Sequence, residues 1–469
     1  MIPIVTYDNC FSQDIDNQEA IKDLRQIADK SISALRDSEN NDLWLFPRKG
    51  DRYDDKIEGQ KILSLVGNSI STGNMMGFVG YGKTQLTIRS RFSKDSPEDW
   101  FMQYLLQRVF AINLFDLKHT STDEDALDIA ALLFPYFLQK ALSQGLYREY
   151  RRQEYNDPHL RGSIDISRHI KQNYPFKNGK VAYSTREFKY DNPVTQLVRH
   201  TIEYLKGKKN SIASVALYSN TDIQSYIKLI VDATPSYRKR DLTRVIYSNL
   251  RPKIHPYYSE YRPLQRLCLQ ILRGEKISYG KSSNQIWGVL FDGAWLWEEY
   301  LNITFKKAGF KHPENKTRKN PIHLFRQKKG YTRYPDFIKD DIIADAKYKM
   351  LIRPAEDVID ENLSRDDLHQ MVTYLHITSS RTGIFVNPVN FRVMNPYNGE
   401  YFPEDVYCMK IGELYGDGGY IYILELNIPQ ECTSFEDFSR MMNSNETVLY
   451  NKLLQLLDPS FSLHRPDYL

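Results

Sequence analysis

Between Pro97 and about Arg152, apolar residues recur every three or four positions, in DWFMQYLLQRVFAINLF and again in DIAALLFPYFLQKAL. That spacing predicts amphipathic helices. Another long helix is predicted near Pro193–Lys206. Residues 61–95 alternate instead, as at Leu86, Ile88 and the Arg91-Phe92 end, which predicts short strands. Residues 1–60 read as a polar, partly helical lead-in. From Trp287 onward the pattern becomes helix, strand, strand, strand, helix, strand, and no internal repeat is present. The expected architecture is an α/β multidomain chain in four parts. These are an acidic lead-in with a β-rich module (1–96), a mixed helical middle domain (97–285), an α/β domain (286–432) and a helical C-terminal tail (433–469).

Composition narrows the class. The chain has 469 residues, 41% of them apolar, with 33 Tyr and 22 Phe, an ordinary globular balance. Cys10, Cys268, Cys408 and Cys432 lie far apart, which excludes a disulfide scaffold and fits a reducing compartment. The first residues carry acids where a signal peptide carries bases, and the most apolar run, Ala130–Leu138, is too short to span a bilayer. A cytoplasmic protein without a membrane partner is expected. The net charge of +4 hides segregation: residues 1–60 hold 13 acids and 8 bases, and residues 306–333 hold 10 bases and one acid. A second basic stretch spans Arg238–Lys276. Such clusters on a nearly neutral chain point to a polyanion partner.

Gly77-Phe78-Val79-Gly80-Tyr81-Gly82-Lys83-Thr84 matches the G-x-x-x-x-G-K-[ST] phosphate loop. That loop needs a helix to start at Lys83-Thr84, whereas the residues that follow, TQLTIRSRFS, are β-branched and alternate. A hairpin with a Gly-rich turn is the expectation, and a P-loop NTPase using Lys83-Thr84 is the alternative.

The strongest chemical signal is YTRYPDFIKDDIIADAKYKM, residues 331–350. Two apolar-rich strands, Tyr334–Lys339 and Ile342–Lys347, flank Asp340-Asp341. A tight turn there sets Asp336 opposite Asp345, and strand alternation puts Lys347 on the face of Asp345. Two carboxylates this close repel unless a cation lies between them, and Mg²⁺ (or Mn²⁺) prefers such oxygens. The pattern is the P-D…(D/E)-x-K of restriction-endonuclease-like nucleases. A helix carrying Glu298 and Glu299 precedes it. A second helix, opened by Ser364 with Asp367 three residues on, follows and places Gln370 and Tyr374 one turn apart. The catalytic candidates are Asp336, Asp345, Lys347, Gln370, Tyr374 and Glu298, with Asp336 and Asp345 as metal ligands. The DNA-binding candidates are Lys316, Arg318, Lys319, Arg326, Lys328, Lys329 and Arg333. His255, His312 and His323 are scattered, His369 and His376 lie near the second helix, and none forms a metal-binding cluster.

With these pieces in order, the chain resembles the McrC family, the nuclease subunits of McrBC-type 5-methylcytosine restriction systems, in the long form of LlaJI-type systems. The resemblance is carried by DIAALLFPYFLQKALSQGLYREYRRQ, the R-G-x-I motif in DPHLRGSID, FKYDNPVTQLVRHTIEYL, GAWLWEEYL, YPDFI, IADAKYK and LHQMVTYLH, across residues 97–430. The family's D-T-x-x-N has Asn192 in place of its Thr here, with Thr195 near its Asn, so no role is carried to those positions. The resemblance implies a PD-(D/E)xK nuclease domain that cuts DNA and binds an McrB-like AAA+ GTPase hexamer, stimulating its hydrolysis and bridging two rings. It also implies that this subunit carries no nucleotide. A non-cleaving adaptor that binds DNA or the ring is the competing reading.

Overall fold

The computed structural model describes residues 2–37, 42–47, 55–94, 96, 98–110, 133–176, 178–207, 217, 221–251, 255–274, 286–312, 322–325, 332–351, 363–390, 406–415 and 419–457. The chain forms two compact units, residues 1–111 together with 280–469, and residues 112–279. This differs from the four-part division expected from the pattern.

The reason lies in one strand. Trp287–Asp292 lies inside a five-stranded sheet ordered Ile2–Tyr7, Thr84–Arg89, Met75–Tyr81, Trp287–Asp292, Asp42–Phe46. It runs antiparallel to Met75–Tyr81 and parallel to Asp42–Phe46. Two glycines allow the antiparallel pair to close. Gly77 has φ 123° and a Cβ there would lie 2.3 Å from the Val289 carbonyl oxygen; Gly288 has φ 146° and would meet the Phe78 carbonyl oxygen at 2.3 Å. Side chains at either position would force the strands apart. The start of the expected α/β domain is therefore part of the N-terminal sheet. Ile21, Leu24, Leu45, Val79, Leu86, Ile88 and Leu290 pack as one core on it.

The phosphate-loop match folds as the hairpin expected. Met75–Tyr81 and Thr84–Arg89 pair antiparallel across the two-residue turn Gly82-Lys83. Asp23 fills the turn: its Oδ2 accepts from the Lys83 amide at 3.1 Å and from the Thr84 hydroxyl at 2.9 Å. Lys83 Nζ pairs with Glu19 at 3.2 Å. A strand follows Lys83 where a phosphate site needs a helix N-terminus, and a carboxylate holds the amide that a phosphate would need. This geometry overturns the P-loop alternative.

A second five-stranded sheet is ordered Phe337–Lys339, Ile342–Ala346, Thr382–Val389, Tyr420–Asn427, Val406–Glu413. Its three central strands are mutually parallel and its edges antiparallel. The Arg365–Thr378 helix packs Met371, Tyr374 and Leu375 against Ile343, Phe385, Ile421 and Ile423. The Gly293–Lys307 helix begins where the first sheet ends, with Asp292 as its N-cap, accepting from the Trp295 amide at 2.7 Å.

The expected C-terminal tail is, over its described part, a structural helix. Phe435–Leu457 buries Met442, Leu449 and Leu453. Its Glu446 accepts from Tyr104 OH at 2.7 Å and pairs with Arg108 at 2.5 Å. Trp100–Phe110, expected in the middle domain, is thereby tied to this unit.

In residues 112–279, Glu149–Asp157, Val181–Lys189 and Ser163–Ile164 make a three-stranded sheet, accompanied by the Ile166–Asn173 helix. Helices Phe134–Ser143, Pro193–Gly207, Thr221–Ala233, Leu242–Asn249 and Tyr261–Gly274 also belong to the unit. In the R-G-x-I motif Gly162 lies against the Ser184 carbonyl and Ser163-Ile164 form the short strand, while Asp157, just before it, accepts from the His159 amide and Tyr183 OH. Asn192 caps the Pro193–Gly207 helix by accepting from the Val194 and Thr195 amides. Among the described residues, no helix is long and apolar enough to cross a membrane.

Arg108→Ala leaves the buried Glu446 carboxylate without its cation. We expect a loss of about 2–3 kcal/mol, read as a lower melting temperature at pH 7. An unchanged melting temperature would show that the Phe435–Leu457 helix is held by apolar packing alone.

Candidate active site

The site is built on a hairpin. Phe337 pairs with Ala344, Ile338 with Ile343 and Lys339 with Ile342, around the turn Asp340-Asp341. Asp340 adopts φ 50°, a left-handed conformation that Asp tolerates well in tight turns. Continued by one residue, this register sets Asp336 against Asp345, the arrangement expected from the symmetry of the turn. The regular strands are shorter than expected, Phe337–Lys339 and Ile342–Ala346. Both carboxylates are buried, with 9% of Asp336 and 3% of Asp345 exposed. Asp336 Oδ2 reaches across the hairpin to accept from the Ala346 amide at 2.8 Å.

Lys347 follows directly. Its backbone amide donates to the Val386 carbonyl at 2.8 Å, and the indole of Trp297 donates to the same oxygen at 3.2 Å. Its ammonium lies 2.5 Å from Asp345 Oδ2, 3.1 Å from Asp367 Oδ1 and 3.3 Å from Gln370 Oε1. Burial works against that charge, but Asp345 and Asp367 outweigh it and hold the Lys347 pKa above its ordinary value. Burial raises the pKa of Asp345. Lys347 pulls it back, while Asp367 and Glu298 push it further up.

Gln370 and Tyr374 converge on the same point. Gln370 Nε2 donates to Tyr374 OH at 2.6 Å, and Tyr374 OH donates to the Tyr334 carbonyl at 3.2 Å. Tyr374 has a raised pKa, from burial first and then from Asp345. Glu298, on the Gly293–Lys307 helix, is 4% exposed and close enough to act on Asp345 electrostatically. All six catalytic candidates thus gather in one place. Arg333 lies on the Thr332–Arg333 strand, which pairs with Ile322–His323, and is exposed. Lys316, Arg318, Lys319, Arg326, Lys328 and Lys329 lie outside the described residues.

Two further residues join the cluster. His312 donates from Nδ1 to the Asp336 carbonyl at 2.6 Å and holds Nε2 3.6 Å from Glu298 Oε1. Asp367 binds Lys347 and also Lys349. It accepts from Ser364 Oγ at 2.6 Å, and its amide donates back to Ser364 Oγ at 3.2 Å. The sequence marks Ser364 and Asp367 as a helix start, but the two lysines reach Asp367 only in the folded chain. No spacing signal marks His312.

Among the described residues, no three His, Cys, Asp or Glu side chains are grouped to hold a metal ion. The donor set on offer is the pair Asp336 and Asp345. Asp345 Oδ2 is buried and has no hydrogen bond of good geometry, with the Lys347 ammonium as its close neighbour. Two hard carboxylates with remaining positions left to water or phosphate suit Mg²⁺, which keeps much of its hydration shell.

Burial alone would raise the Asp367 pKa, yet Lys349, Ser364 and Lys347 bring it down to about 2. A depressed carboxylate contributes stability that is fully present above the unfolded value near 4 and lost as pH falls through about 2. Asp367→Asn is therefore expected to be about 1–2 kcal/mol less stable than wild type at pH 7, with the gap closing as pH falls below 4. Urea unfolding across that range reads the difference, and a gap that stays constant would contradict it.

No curated protein sequence matches the chain. Two solved structures from Thermococcus gammatolerans are similar to it. One is described as a refined half-complex from a tetradecameric assembly of McrB AAA+ hexamers with bound McrC, at 15% identity and TM-score 0.45, covering 94% of this chain and 99% of that one. The other is a McrBC complex, at 16% identity and TM-score 0.31, covering 65% of this chain and 88% of that one. Similarity at these TM-scores does not establish a shared fold, so membership rests on sequence. The family model described as McrBC 5-methylcytosine restriction system component matches residues 70–388, about two thirds of the chain and the whole Asp336–Tyr374 cluster, and the chain belongs to that family.

Proposed function

We propose that this chain is the McrC-like, DNA-cutting subunit of its restriction system and hydrolyses phosphodiester bonds with Mg²⁺ at Asp336 and Asp345. The observation that carries the reading is the buried Asp336–Asp345 pair facing across a hairpin, with Lys347 on the same edge. The second sheet, with its Gly293–Lys307 and Arg365–Thr378 helices, is read as a PD-(D/E)xK nuclease core. Family membership supports DNA as the substrate and an McrB-like AAA+ GTPase hexamer as the partner, and bridging of two rings belongs to the same proposal. Nucleotide chemistry is assigned to that partner, and the reading places the subunit in the cytoplasm.

Asp336 and Asp345 would hold the Mg²⁺, or Mn²⁺ in its place. When bound, the ion supplies positive charge that polarises the scissile phosphate and the attacking water. Lys347 offers hydrogen bonds to phosphoryl oxygens as their negative charge develops. Gln370 and Asp367 aim its ammonium, and Tyr374 fixes Gln370. Glu298, backed by His312, adds negative charge beside Asp345 and so raises the affinity of the pair for a cation. The basic segment 306–333 lies in sequence just before the hairpin and would track the phosphate backbone.

Asp345→Asn and Asp336→Asn are expected to lower DNA cleavage by about a thousandfold, the loss of several kcal/mol of charge stabilisation. Partner binding should be retained. The measurement is plasmid cleavage with Mg²⁺, with and without the GTPase partner and GTP. Cleavage by Asp345→Asn at the wild-type rate would overturn the nuclease reading. No cleavage by wild type, with GTPase stimulation intact, would assign the chain to the adaptor class.

Neutralising Lys316, Arg318, Lys319, Lys328 and Lys329 is expected to weaken DNA binding. It should also flatten the salt dependence by about 0.9 in log–log slope for each phosphate left unneutralised. A titration of affinity against salt checks this, and an unchanged slope would remove the segment from the DNA path.

A further inference from the structure

The residue after Lys347 belongs, by its contacts, to the N-terminal sheet. Tyr348 is 6% exposed. Its hydroxyl lies 2.8 Å from Ser90 Oγ and 3.1 Å from Met76 Sδ. The Arg91 guanidinium donates to the Tyr348 carbonyl oxygen and lies over the Tyr348 ring, 4.8 Å from its centroid. Phe92 meets the same ring edge-on at 5.1 Å. On another side the ring closes on Gly293, where a Cβ would lie 2.6 Å from it.

Arg91 is itself held. Its amide donates to Asp8 Oδ1 at 2.5 Å, and its Nε lies 3.6 Å from Asp8 Oδ2. The Ser90 amide and the Ser93 hydroxyl both donate to Asp99, at 2.7 and 2.8 Å, and Asp99 also accepts from the Met102 amide at 3.2 Å. Residues 90–93 therefore form a braced turn at the end of one sheet. That turn grips Tyr348, the second residue past the last strand of the site hairpin in the other.

Lys347 is thus fixed from two directions. Its own amide is pinned to Val386 in the second sheet, and the next residue is pinned by ring, hydroxyl and carbonyl to residues 76 and 90–92 of the first. An ammonium at the end of a flexible four-carbon stem keeps one position only if its backbone cannot shift.

We propose that Arg91 is a positioning residue for phosphodiester cleavage, acting on Lys347 through its fork of contacts to the Tyr348 carbonyl and ring. The proposal rests on the nuclease reading of Asp345 and Lys347. It makes the N-terminal sheet a working part of the cleavage centre.

A merely structural Arg91 would serve as the cation beside buried Asp8, and Lys can fill that role. Positioning needs the planar guanidinium, which Lys lacks. The test uses the full-length chain with its GTPase partner, GTP and Mg²⁺. It compares wild type, Arg91→Lys, Tyr348→Phe and Asp345→Asn by single-turnover cleavage at saturating DNA, by DNA affinity and by melting temperature. Arg91→Lys is expected to cut about ten- to a hundredfold more slowly at saturation, with DNA affinity within about twofold of wild type, since a small misplacement costs rate rather than binding. Tyr348→Phe keeps the ring, loses the tether to Ser90, and is expected to cut about three- to tenfold more slowly. Arg91→Lys that melts as wild type and cuts at the wild-type rate, or loses only DNA affinity, overturns the positioning role while a dead Asp345→Asn leaves the nuclease reading standing. If Arg91→Lys does not fold, Tyr348→Phe decides: a slower rate supports the proposal and a wild-type rate overturns it. Wild-type cleavage by Asp345→Asn, or no cleavage by wild type, removes the nuclease reading and this proposal with it.

Discussion

Two carboxylates buried face to face across a hairpin are the constraint on which the site depends. Each needs a compensating partner, because an unpaired buried charge costs several kcal/mol. Asp336 takes the Ala346 amide and Asp345 takes the Lys347 ammonium. That ammonium, buried in turn, needs Asp367 and Gln370, and Gln370 needs Tyr374. Tyr374 donates to the carbonyl of Tyr334, two residues before Asp336. The chain of partners closes on the hairpin where it began. Each member has its place because a neighbour would otherwise be left unsatisfied, and such networks hold a single geometry better than apolar packing of similar size.

The same logic of close approach governs the larger architecture. Strands Met75–Tyr81 and Trp287–Asp292 can pair only because Gly77 presents no side chain to the Val289 carbonyl and Gly288 none to the Phe78 carbonyl. This pairing joins segments more than 200 residues apart and makes residues 1–111 and 280–469 one unit. Asp292, the last residue of the joined strand, caps the helix that carries Glu298. The N-terminal sheet and the cluster at Asp345 are thus connected at two places, through this helix and through Tyr348.

Local rules account for what is legible in the sequence. The symmetry of a two-residue turn sets Asp336 against Asp345 without reference to the rest of the chain. Strand alternation places Lys347, helical periodicity brings Gln370 and Tyr374 together, and Ser364 marks a helix start. The β-branched run after Lys83 identifies the phosphate-loop match as a hairpin. Long-range pairing is not legible. The pattern from Trp287 reads as the start of a helix, and nothing local shows that Trp287–Asp292 is a strand or that it lies in the N-terminal sheet. A domain boundary near 285 cuts through that sheet for this reason. Phe435–Leu457 reads as a tail because its anchor, Arg108, lies over 300 residues away. Asp367 and His312 carry no local mark of a site residue for the same cause.

The hydrogen-bond inventory of Lys347 bears on how such a site would admit its substrate. An ammonium has three donors, and here three oxygens surround it, on Asp345, Asp367 and Gln370. A phosphoryl oxygen that approaches competes with them. Asp345 and Asp367 are charged and buried, and removing either from its cation is costly. Gln370 is neutral and, at 3.3 Å, the most distant of the three. Its amide is also held by Tyr374, so its oxygen can turn aside without leaving the side chain unanchored. Under the nuclease reading, Gln370 is then the acceptor that yields to the phosphate. The two carboxylates keep Lys347 charged and aimed while that exchange takes place.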